Sequence, residues 1–68
     1  MTDSEALRKR IKDSGYKLGY VAQCLNISAY TLQKKLNNET EFKVSEVDRL
    51  AHLLDMSPLE KDRYFFAS

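Results

Sequence analysis

Tyr30, Gln33, Lys34 and Asn37 recur at spacings of three, one and three residues, so they share one face of a helix. Each type can contact a nucleic acid. Gln reads adenine through paired hydrogen bonds, and Lys reaches guanine or a phosphate. Tyr donates to a phosphate or packs on a thymine methyl. Ser28 and Ala29, at the amino end of the same segment, would lie close to base edges. Thr31 and Lys35 fall further round, where phosphate or solvent is the expected neighbour. Asn38 and Thr40 follow in a loop and are candidate phosphate donors. The competing expectation for all of these residues is an ordinary solvated helix face and a plain turn.

These side chains sit in VAQCLNISAYTLQKKLNN, residues 21–38, which joins two short helical patterns across Asn26. The first pattern covers about 18–25, with Leu18, Val21, Ala22 and Leu25 on one side. The second covers about 29–37, with Leu32 and Leu36 inward and Ser28 as its N-cap. Asn26 suits a left-handed turn position. Ala22 is small where the two helices must approach, and Ile27 and Leu32 can lock one onto the other. A short helix, a tight turn and a second helix with a polar outer face form a helix-turn-helix arrangement. An α-helix fits a groove about 12 Å wide.

Three further helices complete the pattern. Residues 3–13 place Leu7 and Ile11 inward and leave Arg8, Lys9 and Lys12 wet, with Ser14-Gly15 as the stop. Residues 44–54 carry a stripe of Val44, Val47, Leu50, Ala51 and Leu54. Ser57, Pro58 and Glu60 open a fifth helix as cap, first residue and capping-box partner. Leu59 and Phe66 can share a face there. The expectation is an all-α, compact five-helix domain spanning 1–68.

The sequence here resembles the phage repressor/Cro-like (XRE-type) helix-turn-helix domains, in particular the small phage-type regulators of Gram-positive bacteria. The resemblance is carried by GYKLGYVAQCLNISAYTLQKKLNN, EFKVSEVDRLAHLL and the ending YFF, and covers nearly the whole chain. It implies a lambda-repressor-like fold in which the third helix reads the major groove of operator DNA. The family often carries Gln near the start of its second helix, where this chain has Leu18, so that contact does not carry over. The turn Gly is Asn26, and the usual Ser or Thr caps of helices two and four are Lys17 and Lys43. Lys at a helix N-terminus meets an already positive dipole, and a bound phosphate would reverse that penalty. Lys17 and Lys43 are therefore expected to grip backbone phosphates; the alternative is that both extend into solvent.

Composition sets the limits. The chain has 68 residues, 43% hydrophobic and 31% charged, which is one small globular domain. A single cysteine excludes an internal disulfide and suits a reduced, cytoplasmic setting. Cys24 reads as a small packed apolar group and His52 as exposed polar filler. Neither a membrane span nor a signal peptide is expected. Net charge is +1, but residues 1–37 hold seven Lys/Arg against three acids and residues 38–68 hold four against seven. That asymmetry suits a polyanion on one side.

No phosphate loop, Cys/His cluster or triad material is present, so neither enzymatic activity nor a cofactor or small-molecule ligand is expected. One helix cannot bury Tyr64, Phe65 and Phe66 together; an exposed aromatic could serve a homodimer, placing two reading helices about 34 Å apart on a palindromic operator. A second functional class remains open: a protein-interaction module that modulates another regulator without touching DNA. The net charge and the Leu at position 18 keep that class open.

Overall fold

The computed structural model describes residues 2–66. Five helices follow one another: α1 (Ser4–Ser14), α2 (Leu18–Cys24), α3 (Ala29–Leu36), α4 (Val44–Leu53) and α5 (Pro58–Phe65). The fold is all-α, as expected, and no strand occurs among the described residues. Every helix contributes to one core. Leu7 and Ile11 come from α1, Val21 and Ala22 from α2, Leu32 and Leu36 from α3, Val47 and Leu50 from α4, and Phe65 from α5.

The helix ends are built from local chemistry. Asp3 caps α1 by accepting from the Ala6 amide at 3.2 Å, Ser28 caps α3 through Thr31 at 3.0 Å, and Ser57 caps α5 through Glu60 at 3.2 Å. At the other ends, α2, α3 and α4 share one device. Asn26, Asn38 and Asp55 each adopt a positive φ, at 59°, 61° and 53°. The residue after each then donates back across the last turn: Ile27 to the Ala22 carbonyl, Glu39 to Lys34 and Met56 to Ala51, at 2.8–3.0 Å. This double-bonded ending satisfies carbonyls the helix leaves free, and Asn and Asp tolerate the left-handed geometry best after Gly.

Two expectations about apolar faces are corrected. Val44 is 76% exposed, because the first residue of α4 lies before the stripe that begins at Val47. Leu59 and Phe66 are also exposed. Phe65 turns inward instead, edge-on to Phe42 at 5.3 Å, so Phe66 is the aromatic left outside.

Lys35 is a third correction. Its side chain is 8% exposed and its ammonium meets Glu46 Oε1 at 2.8 Å, where the Glu46 side chain is 7% exposed. Lys35 Nζ also donates to the Glu41 carbonyl at 3.0 Å and lies over the Phe42 ring. Glu46 Oε1 in turn accepts the Lys43 backbone amide at 2.8 Å. Burial opposes ionisation of Glu46, but the Lys35 ammonium and the Lys43 amide outweigh it and hold the carboxyl below its ordinary range.

Lys35→Met leaves a buried carboxylate unpaired. The expected loss is about 3 kcal/mol, with the double variant Lys35→Met/Glu46→Leu recovering most of it in thermal unfolding. A folded-state value below the unfolded one makes Glu46 stabilising above about pH 4.3, with that contribution lost as pH falls through the lower folded value. Glu46→Gln should lower the neutral plateau and flatten the acid limb of stability against pH.

Candidate nucleic-acid interface

The α2–turn–α3 unit fixes which side of α3 faces out. Leu32 and Leu36 are fully buried and Lys35 joins them on the inner side. The outer side carries Tyr30, 73% exposed, together with exposed Gln33 and Asn37 and half-buried Lys34. Lys34 Nζ stands 5.6 Å from the centre of the Tyr30 ring, a cation held over an aromatic face. Ser28 and Ala29 are exposed at the amino end. The Ser28 hydroxyl is already engaged: it accepts from the Thr31 amide and donates to Thr31 Oγ1 at 2.9 Å.

The carboxyl end of α3 is tied to α1. Asn38 Nδ2 donates to the Thr2 carbonyl at 2.9 Å and to Ser4 Oγ at 2.8 Å, and its Oδ1 accepts the Thr2 amide at 3.3 Å. Asn38 is thus a clasp between the loop after α3 and the start of α1, with both amide hydrogens directed into the chain. Thr40 is exposed and has no side-chain bond among the described residues. Glu39 and Glu41 are exposed in the same loop.

Lys17 and Lys43 are the N-cap residues of α2 and α4, and both are exposed and extended, with φ near −78° and −75°. Neither offers a side-chain cap to its helix. At α4 the first amide is taken by Glu46, as described above. At α2 no acceptor side chain closes the end.

Arg8 belongs to this surface, and sequence periodicity left it in solvent. Its guanidinium reaches from α1 across α3: Nη2 donates to Asn37 Oδ1 at 2.6 Å and to Gln33 Oε1 at 3.2 Å. The one hint in the sequence is position, since Arg8 directly follows buried Leu7 and so borders the inward stripe of α1.

Four of the eleven cations are held in ion pairs. Lys9 pairs with Asp13, Arg10 with Glu60, Lys35 with Glu46 and Lys61 with Asp48. Arg8, Lys12, Lys17, Lys34, Lys43, Arg49 and Arg63 have no carboxylate within salt-bridge distance among the described residues. The same residues include no group of three or more His, Cys, Asp or Glu able to hold a metal, and no helix is long and apolar enough to cross a membrane.

Residues 3–68 match the model of the family described as Protein of unknown function (DUF739), and the chain belongs to that family. No curated protein and no solved structure matches the chain.

The Asn38 clasp is tested by Asn38→Gly, which keeps the positive φ and removes the side-chain bonds to Thr2 and Ser4. Stability should fall by about 1 kcal/mol, equivalent to a Tm lower by roughly 4–8 °C. Faster hydrogen exchange at the Thr2 amide, which loses the Asn38 Oδ1 acceptor, should accompany it.

Proposed function

We propose that this family member is a sequence-specific DNA-binding transcriptional regulator of the phage repressor/Cro type, working as a helix-turn-helix protein. α3 would enter the major groove of an operator, and occupancy of that operator would block or bias polymerase. The observation that carries the reading is the division of α3 into two sides. Leu32, Lys35 and Leu36 are locked inward, while exposed Tyr30 and Gln33 and half-buried Lys34 form a polar ridge bordered by Arg8. A ridge of that kind on an α-helix matches the width of the major groove and the hydrogen-bonding edges within it.

Charge supports the same reading. Seven cations have no acidic partner among the described residues; four of them, Arg8, Lys17, Lys34 and Lys43, come from α1, the two helix starts and α3 itself, and the other three, Lys12, Arg49 and Arg63, lie on α1, α4 and α5. Lys17 and Lys43 would grip phosphates on either side of the groove, adding charge to amides at the helix starts. Ala29 would lie against the base edges with little steric demand. Thr40 would donate to a phosphate from the loop. Asn37 and Asn38 would contribute through structure, since each is already bonded within the chain.

A second reading draws on exposed apolar groups rather than on the ridge. Val44, Leu59 and Phe66 all face solvent, and they would suit a protein-interaction module or a homodimer contact.

Gel shifts with duplex DNA at rising salt separate the two. Binding at low salt that collapses as salt rises is the expected result, and absence of duplex binding at low salt rejects it. Lys17→Ala and Lys43→Ala should each weaken binding to all sequences alike and lower the slope of log affinity against log salt by about one. Gln33→Ala should instead relax discrimination at one base pair, by about 1–3 kcal/mol.

A further inference from the structure

Arg8 does more than add positive charge beside α3. Its guanidinium carries five N–H donors and no acceptor. Both amides it meets must therefore turn their oxygens toward it and their nitrogens away. Asn37 Oδ1 sits 2.6 Å from Arg8 Nη2 and Gln33 Oε1 sits 3.2 Å from the same atom.

The two amides then differ. The nitrogen of Asn37 faces Glu39 Oε2 at 3.4 Å, so both ends of that amide are engaged. The nitrogen of Gln33 has no acceptor among the described residues, and Gln33 is exposed. The ridge donors without an acceptor among the described residues are therefore the Gln33 amide nitrogen, the Lys34 ammonium over Tyr30 and the remaining N–H groups of Arg8. Its amide oxygens point at Arg8.

An unrestrained Gln reads adenine by accepting from the N6 amino group while donating to N7. With Arg8 on its oxygen, Gln33 cannot offer that acceptor without a guanidinium beside the incoming amino group. Guanine presents two acceptors, N7 and O6, in the same groove. Resting on the DNA-binding reading above, we infer that Arg8 is a specificity-determining residue, which holds the Gln33 carbonyl and makes this ridge select guanine over adenine. Arg8 acts on base choice through Gln33, as a positioning residue that need not itself touch the base.

The test is selection of bound duplexes from a random pool by the full chain and by three variants, each checked for helical content. Gln33→Ala locates the base pair in question as the position where preference disappears. There the native chain is expected to select guanine. Arg8→Met should free the Gln33 oxygen and shift the guanine-to-adenine ratio by at least tenfold toward adenine. Gln33→Glu retains a partner for Arg8 as an ion pair, so folding is preserved, but it has no N–H to donate; its guanine preference should fall by at least tenfold.

Selection of adenine by the native chain, an unchanged ratio in Arg8→Met, or guanine preference retained in Gln33→Glu overturns the inference. In each of those cases sequence-selective binding itself survives. Failure of the native chain to bind any duplex at low salt overturns both the inference and the reading beneath it.

Discussion

The buried contact between Lys35 and Glu46 fixes the orientation of α3. Two charges in a largely dry setting are stable only when each has partners, and here each has more than one. Rotating α3 about its axis would expose Leu32 or Leu36 and strand Glu46 without its cation. α3 packs by backbone mainly against α2 and α1, so the long Lys35 stem supplies a tie to α4 that apolar packing alone leaves thin. The outer ridge is the geometric complement of that arrangement. Because Lys35 points in, Tyr30, Gln33 and Lys34 point out.

A small chain must also close its helices without long loops. It does so by repeating one ending three times, at Asn26, Asn38 and Asp55. In two of these the following residue, Ile27 or Met56, packs against the core and makes the turn part of it. In the third, Asn38 uses its side chain to hold the start of α1. Arg10 performs a related task at the far end, bonding the Leu54 carbonyl at 2.7 Å and Glu60 at 2.6 Å, so that α1 ties the end of α4 to the start of α5. The α1 helix thereby contacts the chain at several points beyond its two buried apolar residues.

What the sequence made legible was local. Helix starts at Ser28 and Ser57, the turn at Asn26 and the stop at Gly15 each depend on a few neighbouring atoms, and the five helices lie within about a residue or two of the periodicity. Features that depend on distant partners were not legible. Arg8 and Gln33 are 25 residues apart, and nothing in a helical pattern joins them. Lys35 looked wet because Lys usually is; its burial follows from Glu46 on another helix. Phe65 and Phe66 are chemically equivalent neighbours, and the surroundings that take Phe65 in, Phe42 among them, come from distant parts of the chain. The outward placement of Tyr30, Gln33 and Lys34 followed from the inward placement of Leu32 and Leu36, so that part of the ridge could be read in advance.

The pairing of Tyr30 with Lys34 has a spectroscopic side. The chain contains no tryptophan and four tyrosines, so its near-ultraviolet emission comes from phenol rings alone. One of those rings stands at the crest of the ridge, bathed in solvent beneath an ammonium group. A body that comes to rest on α3 would change the surroundings of that ring, against the background of the other three tyrosines. The protein thus carries its own unlabelled optical gauge of whether its outward face is covered.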